Sequence, residues 1–312
     1  MSGYFIGIDI GATHCRVKCC DTDKKNSYIT DKQLFKRFDT VREEIDYNVC
    51  SRIDWYIKNH GLSINNLKGI GIAVPALFDR NTGELMGWPN NPKWENINLK
   101  SIIEEKYSVP VIIEEDANSA AYGEYAQGSA TGMENIIYIT VSTGIGSGLI
   151  LDGNLYIGHH GFAGEIGHIV IEEGGTECTC GKKGCFQALA SGPAILKRYR
   201  SLKNDDRNYT LEEVFKSMEK GEKQALQCME EVSGYLMKMI HFLVMLLDIE
   251  CVVLGGGVVI SNDYIFSNLL RKLREYEFYG RLVEVRKAKL GDDSGVEGIL
   301  GLIYNKLEPV SI

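Results

Sequence analysis

Residues 4–20 read YFIGIDIGATHCRVKCC, an apolar run, a short glycine-containing turn and a second partly apolar run. The first run, Tyr4–Ile10, ends at Gly11, and Arg16–Cys20 continues after the turn. Apolar runs of about four to eight residues bounded by turn residues are typical of buried strands. The stretch therefore predicts a strand–turn–strand unit at the start of the chain.

The same pattern returns near the middle of the chain. Asn135–Val141 predicts a strand, Ser142–Gly148 a glycine turn and Leu149–Leu151 a return strand. Helical spacing and short apolar runs predict further elements: helix Val41–His60, strand Leu67–Val74, helix Leu99–Tyr107, strand Val109–Glu114, helix Ala117–Tyr125 and strand Cys251–Leu254. Two similar halves imply a duplicated α/β architecture with a cleft between the halves, and such clefts commonly bind ligands.

The composition is that of an ordinary globular protein. With 44% apolar and 24% charged residues, the 312-residue chain can bury a core as two domains or one large one. Its formal net charge of −8 argues against a nucleic-acid surface, which needs clustered Lys and Arg. ATP remains compatible with this charge, because backbone N–H groups can bind phosphate.

The N-terminal residues lack the basic segment of a signal peptide. The longest apolar run, Met239–Leu254, is interrupted by His241, Asp248 and Glu250. These polar residues favour a buried helix running into a strand over a membrane span. We therefore expect a cytoplasmic protein whose nine cysteines stay reduced.

Three glycine-rich segments stand at predicted strand ends: Asp9–Thr13, Ser142–Gly148 and Gly255–Gly257. Glycine lets several backbone N–H groups converge on a phosphate without side chains in the way. One such turn alone is more often ordinary hairpin chemistry, but three together favour a nucleotide site. Neither the Walker lysine motif nor the dinucleotide fingerprint is present. Asp9 either orients the Mg²⁺ of ATP through water or caps local N–H groups.

Glu114-Glu115-Asp116 stands where a predicted strand meets a helix. Two interpretations are open. The acids can form a helix start that interacts favourably with the macrodipole. Alternatively, Asp116 is a general base that accepts the proton of a sugar hydroxyl during phosphoryl transfer.

A compact set of possible metal ligands comprises His168, Cys178, Cys180 and Cys185. Three thiolates and one imidazole form a closed tetrahedral set, which is typical of structural zinc. The alternative is three free cysteines on one glycine-rich loop. The remaining cysteines are interpreted as small buried hydrophobic residues: Cys15, Cys19, Cys20, Cys50, Cys228 and Cys251.

These stretches together resemble the ROK sugar kinases over nearly the whole chain. The residues that carry the resemblance are Asp9–Thr13, Glu115–Asn118, Ser142–Gly148, Gly161–His168, Cys178–Cys185 and Ala190–Pro193. The resemblance implies an α/β protein with an actin-like (ribonuclease H-like) ATPase fold, in which two similar α/β domains flank a cleft. Residues 1–117, joined by the C-terminal helix 298–312, would form the smaller domain. Residues 118–297 would form the larger domain with the zinc loop.

The resemblance also implies ATP-dependent phosphorylation of a hexose, at the C6 hydroxyl, by a Mg²⁺-requiring homodimer. Asp116 would be the catalytic base. The implied sugar-binding residues are Ala76, Glu115, Asp116, Glu165, His168 and Gln187. The implied nucleotide-binding residues are Asp9, Gly11, Ala12, Thr13, Thr143, Gly144, Gly146, Gly256 and Gly257. His168 would also ligate zinc with the three cysteines.

Three sugar-site positions depart from the family's usual pattern. Glu115 replaces the usual Asn, Gln187 replaces the usual Glu, and Ala76 replaces the usual Gly. The first two changes exchange hydrogen-bond donors and acceptors, so selectivity for plain glucose is not expected. The runs Gly11–His14 and Pro75–Leu77 look like those of D-allose kinases.

Some family members are repressors with an added N-terminal DNA-binding domain. The strand predicted from Tyr4 leaves no room for such a domain, which favours the enzyme.

Two further hypotheses are a sugar sensor and a filament protein. A catalytically silent sugar sensor would explain Glu115 and Gln187, but retention of Asp9 and Asp116 argues for the enzyme. An actin-like filament protein would leave the zinc cluster without a role.

Overall fold

The computed structural model describes residues 3–23, 28–88, 91–275 and 283–308. The chain divides into two compact units: Met1–Gly128 with Asp292–Ile312, and Ser129–Gly291.

The elements follow one another as short strands and helices. The strands are β1 Tyr4–Ile10, β2 His14–Asp21, β3 Asp31–Leu34, β4 Leu67–Val74, β5 Leu77–Phe78, β6 Glu84–Gly87, β7 Ile97–Asn98, β8 Val111–Glu115, β9 Ile136–Val141, β10 Ile145–Leu151, β11 Asn154–Tyr156, β12 Cys251–Gly255 and β13 Glu284–Lys287. The α-helices are α1 Val41–Ile45, α2 Ser51–Asn59, α3 Leu99–Tyr107, α4 Asp116–Gln127, α5 Phe186–Ala190, α6 Gly192–Lys203, α7 Leu211–Glu219, α8 Lys223–Leu247, α9 Gly257–Ile260, α10 Asp263–Leu273 and α11 Ser294–Leu307.

The main sheet of the first unit has the strand order β3-β2-β1-β4-β8. β1 is antiparallel to β2 and parallel to β4, and β4 is parallel to β8. Asp9 pairs with Ala73, and Ala73 pairs with Glu114. The carboxyl ends of these three parallel strands therefore meet at one edge of the sheet, which is where open α/β sheets bind ligands.

The sheet of the second unit has the strand order β11-β10-β9-β12-β13. β9 is antiparallel to β10 and parallel to β12, and β12 is parallel to β13. The pattern of parallel and antiparallel neighbours is the same as in the first unit. The duplicated α/β architecture predicted from the two strand–turn–strand runs is thus confirmed.

The C-terminal helix α11 packs on the first sheet and crosses α4. At the crossing, a Cβ on Gly298 would collide with the Ser119 carbonyl oxygen, and one on Gly123 with that of Ser294. Only glycine allows the two backbones to approach this closely. Because α4 packs on α11, it lies in the first unit, and the division falls after Gly128 instead of at the predicted residue 117.

Two predicted elements differ from the structure by more than one or two residues at their ends. The single helix expected over Val41–His60 contains a π-helical turn, Asp46–Cys50, between α1 and α2. The turn expected over Ser142–Gly148 is shorter, because β10 begins at Ile145. Gly146 and Gly148 instead pair with Thr140 and Tyr138 of β9.

The apolar run Met239–Leu254 contains the end of α8 and most of β12. β12 is buried, but Phe242, Met245 and Leu246 of α8 are 48%, 47% and 64% exposed. The expectation of a wholly buried helix was wrong for this last part of α8. Among the described residues, every helix is too short or too polar to cross a membrane.

Candidate functional site

Asp9 lies at the end of β1, nearly buried, with an arginine as its ion-pair partner. Arg16 Nη1 is 3.4 Å from Asp9 Oδ2, and Arg16 Nη2 is 3.0 Å from Asp292 Oδ2. Burial raises the pKa of Asp9 to about 7, although the Arg16 charge opposes the rise; the charge of Asp116 adds to it. The structure therefore brings Asp9, predicted to orient magnesium through water, and the predicted base Asp116 within electrostatic range of each other.

The turn after β1 is a tight hairpin. The Gly11 N–H donates to the His14 carbonyl oxygen at 2.8 Å, and the Phe35 N–H donates to the Thr13 carbonyl oxygen at 2.8 Å. The amide of Gly11 thus closes the turn, while Ala12 is half-buried and Thr13 is exposed. Of these predicted phosphate-binding residues, Thr13 presents the most surface to solvent.

Asp116 is the first residue of α4, directly after β8. Glu115 and Asp116 are half-buried, whereas Glu114 is 7% exposed. Asp116 Oδ1 accepts the N–H of Ala117 at 2.7 Å, and Glu114 accepts two hydrogen bonds from Arg80, each 2.7 Å long. The sequence had not singled out Arg80, because it lies 34 positions before its partner.

Ala76 lies just after β4, at the same sheet edge. It is only 4% exposed and belongs to the apolar core of the first unit. Among the predicted sugar-binding residues of this unit, it therefore presents less surface than Glu115 or Asp116.

In the second unit, two glycine turns end adjacent parallel strands. The Ser142 N–H donates to the Gly144 carbonyl oxygen at 2.9 Å, and the Gly192 N–H donates to the Ser142 carbonyl oxygen at 2.8 Å. Gly256 has φ +84°, and a Cβ there would collide with the Val141 carbonyl oxygen. The close approach places Gly256 beside the end of β9, where the Ser142–Gly144 turn begins.

A short 3₁₀ turn, Ile166–His168, carries two of the predicted sugar ligands near its ends. It lies against β10, since Ser147 Oγ donates to the Gly164 carbonyl oxygen at 2.6 Å. His168 Nε2 is 3.9 Å from Glu165 Oε2, and His168 Nδ1 is 3.7 Å from Cys178 Sγ. The two ring nitrogens therefore point to different partners, one in the cysteine cluster and one beside Glu165.

The four predicted zinc ligands come together. Their ligand atoms all lie within 4.8 Å of one another, and Cys180 Sγ is 3.6 Å from Cys185 Sγ. A tetrahedral zinc with bonds of about 2.3 Å to sulfur would place its sulfur ligands roughly 3.8 Å apart. The donor atoms and their separations thus fit zinc.

The pKa values of two thiols in this cluster are shifted in opposite directions. Burial raises the pKa of Cys185 to about 12, with its sulfur neighbours adding to the rise. Burial also opposes ionisation of Cys178, yet hydrogen bonds from the Cys180 backbone, Gln187 and His168 lower its pKa to about 6.

Gln187, in the first turn of α5, lies between the cysteine cluster and the Ser142–Gly144 turn. Its Nε2 is 3.5 Å from Cys178 Sγ and 3.2 Å from Thr179 Oγ1. A Cβ on Gly144 would lie 3.4 Å from Gln187 Oε1. The Gln187 side chain therefore contacts the loop that carries Cys178 and lies close to the turn after β9.

The cysteines outside the cluster are packing residues. Cys15, Cys19, Cys50, Cys228 and Cys251 are buried, and Cys20 is half-buried. Burial raises the pKa of Cys15, Cys19 and Cys228 to about 12, which keeps these thiols protonated. The prediction of small hydrophobic residues is confirmed for the buried five.

Comparison with known proteins gives consistent matches. The model of the ROK family matches residues 5–306. A glucokinase from Halalkalibacterium halodurans is 32% identical over 314 residues, which cover 95% of this chain and 93% of the relative. A xylose repressor from Bacillus subtilis is 31% identical over 307 residues, covering 97% of this chain and 78% of the repressor.

A solved structure extends the likeness to three dimensions. The ROK family glucokinase from Streptomyces griseus, in complex with glucose and AMPPNP, is 25% identical, has a TM-score of 0.80, and the match covers 96% of this chain and 99% of that chain. The two units with repeated sheet topology have the actin-like ATPase fold, as the sequence predicted. A family match over nearly all of its length shows that the chain belongs to the ROK family.

Proposed function

We propose that the protein is an ATP-dependent hexose kinase that phosphorylates the C6 hydroxyl of D-allose or a glucose-like sugar. The observation that carries this proposal is the position of the two predicted acids, Asp9 and Asp116, at the carboxyl ends of β1 and β8. The similarity to a glucokinase and to a glucose–AMPPNP complex supports the same chemistry.

The nucleotide would be held by the turns that follow the parallel strands. Backbone N–H groups near Thr13, Thr143 and Gly144 would bind phosphate oxygens, and Gly256 and Gly257 would border the adenosine. Asp9, once ionised, would orient hydrated Mg²⁺, a cation that prefers oxygen ligands and keeps several waters. The Arg16 charge partly offsets the cost of ionising Asp9.

The sugar would be bound by Glu115, Asp116, Glu165, His168 and Gln187. Asp116 would accept the proton of the attacking hydroxyl as the phosphoryl group transfers, so that no free alkoxide forms. The carboxylate of Glu115 accepts hydrogen bonds only, whereas the amide of Gln187 both donates and accepts. A sugar hydroxyl left without a partner at either side chain would disfavour that epimer.

Zinc would be held by His168, Cys178, Cys180 and Cys185, whose four donors leave no open coordination position for chemistry. Its role would be structural. His168 would be fixed through Nδ1, which leaves Nε2 to face the sugar beside Glu165.

The test is coupled ADP release with a panel of allose, glucose, mannose, fructose and N-acetylhexosamines. We expect turnover on at least one hexose, with a preference for allose over glucose. Absence of turnover across the panel, with ATP and Mg²⁺ present and the protein folded and zinc-loaded, would contradict the proposal.

A second candidate is a sugar sensor that binds without phosphorylating. The similarity to a xylose repressor over 97% of this chain favours it. Calorimetry together with the ADP assay separates the two functions. A sensor would bind sugar with no ADP formed, whereas a kinase would bind sugar and form ADP.

The homodimer and the cytoplasmic location stay predictions. Sedimentation tests the homodimer.

A further inference from the structure

The turn after β5 carries a guanidinium that reaches the start of the helix bearing Asp116. Arg80 Nη1 and Nη2 donate to Glu114 Oε2 and Oε1, each at 2.7 Å. The two side chains are 22% and 9% exposed. Such two-pronged pairs fix relative orientation as well as distance.

The turn itself is built to hold Arg80 in place. Asp79 Oδ1 accepts the N–H groups of Asn81 at 2.9 Å and Thr82 at 2.8 Å. The guanidinium of Arg80 also lies 5.0 Å from the centre of the Phe78 ring. The arginine thus projects from a fixed turn over an aromatic face.

Glu114 also forms hydrogen bonds with residues on both sides of Asp116. Its Oε1 accepts the Glu115 N–H and the Asn118 side-chain Nδ2, both at 3.0 Å. Asn118 Oδ1 is buried and has no hydrogen-bond partner among the described residues. The amide of Asn118 is therefore held through Glu114 alone, and the segment between Glu115 and Asn118 contains Asp116.

We infer that Arg80 is a positioning residue for Asp116, acting through Glu114. This inference rests on the proposed kinase function. A catalytic side chain must be held within about 0.5 Å of its productive geometry, and a misplacement of roughly 1 Å costs on the order of a hundredfold in rate. Arg80 is not assigned a sugar contact: its guanidinium is engaged by Glu114.

The primary test is Arg80→Lys, which keeps the charge and loses the two-pronged geometry. We expect kcat to fall about 10- to 100-fold, with the KM for ATP changed less than about twofold. The matched control is Arg198→Lys in the second unit, where Arg198 donates to Glu231 at 2.7 Å from both Nε and Nη2. An effect of Arg80→Lys on kcat no larger than that of the control would overturn the inference.

A second readout does not depend on turnover. Amide hydrogen exchange of residues 112–120 should be at least about tenfold faster in Arg80→Lys than in wild type, because Glu114, which accepts the Glu115 N–H, loses its two-pronged anchor. Arg198→Lys should leave this exchange unchanged. If wild type phosphorylates no sugar while the exchange still accelerates, the proposed function fails and the positional coupling of Arg80 to Asp116 stands.

Glu114→Gln covers the case in which Arg80→Lys melts below the assay temperature. It keeps the size of the side chain and weakens the same pair, so it should give the same loss of kcat and the same faster exchange. Unchanged exchange in folded Glu114→Gln would contradict the inference.

Discussion

Arg16 pairs with two aspartates whose pKa values are shifted in opposite directions: its guanidinium lies 3.4 Å from Asp9 and 3.0 Å from Asp292. Burial raises the pKa of Asp9 to about 7, whereas hydrogen bonds and charges from Lys32 and Arg16 hold the pKa of the Asp292 carboxyl below its ordinary value despite partial burial. Lys32 and Arg16 together therefore stabilise the Asp292 carboxylate at the surface, whereas Arg16 alone does not overcome the cost of ionising the buried Asp9.

The raised pKa of Asp9 predicts how stability depends on pH without magnesium. Between about pH 4 and pH 7 the folded state retains a proton that the unfolded state has lost, so the free energy of unfolding falls as pH rises, by at most about 1.4 kcal/mol per pH unit. Asp9→Asn should abolish this fall. Denaturant unfolding at pH 5, 6, 7 and 8 measures it.

Asp292→Asn is the matched control for that series. Because the pKa of Asp292 is lowered, this carboxyl stabilises the folded state above its ordinary pKa and loses that effect only at lower pH. The decline between pH 4 and pH 7 should persist in Asp292→Asn. A decline that also persists in Asp9→Asn would show that another group titrates.

Removing the proposed base should separate binding from turnover. Asp116→Asn keeps size and shape but accepts no proton, so we expect kcat to fall about 10²- to 10⁴-fold with sugar affinity changed little. Asp263→Asn, which loses an exposed ion pair with Lys287, should retain activity. Near wild-type turnover of Asp116→Asn would remove this residue from the mechanism.

The cysteine cluster predicts about one zinc per chain. Cys180→Ser should reduce metal content and weaken sugar binding by on the order of tenfold, because the loop that carries His168 and contacts Gln187 loses its tether. Cys228→Ala removes a buried thiol outside the cluster and should leave the metal content unchanged. Elemental analysis and calorimetry measure both effects; metal-free protein with full sugar affinity would refute the link.

The conformation of Gly256 predicts a cost for any side chain at this position. Gly256→Ala should lower the free energy of unfolding by about 1–3 kcal/mol and raise the KM for ATP, because φ is +84° and the added Cβ meets the Val141 carbonyl. Gly234→Ala, within α8 and with open space at its Cβ, should not destabilise the protein. Equal melting temperatures for the two variants would contradict this.

The sequence predicted most elements near the site, for identifiable reasons. β1, β4 and α3 have the predicted limits, since apolar runs and turn residues bound them. The glycines of β10 were expected in a turn, but pairing of Gly146 with Thr140 outweighs their local preference. The π-helical turn at Asp46–Cys50 was not predicted, because apolar residues at helical spacing indicate only a continuous helix.

At the site, too, the sequence predicted a cluster of residues that are close in the chain and missed contacts between residues that are far apart in it. The four predicted zinc ligands lie within 18 positions of the sequence, so their spacing alone suggests a cluster. Arg16 with Asp292, and Arg80 with Glu114, join residues far apart in the chain, and only the fold brings them together. Their effects on Asp9 and on the start of α4 were therefore not predicted.

The most direct measurement is the identity of the product formed from ATP and a hexose. Mass spectrometry should show one added phosphoryl group on the sugar, and NMR should place it on the C6 oxygen, with one ADP formed per sugar consumed. Bound but unmodified sugar, with no ADP formed by folded, zinc-loaded protein, would contradict the kinase account.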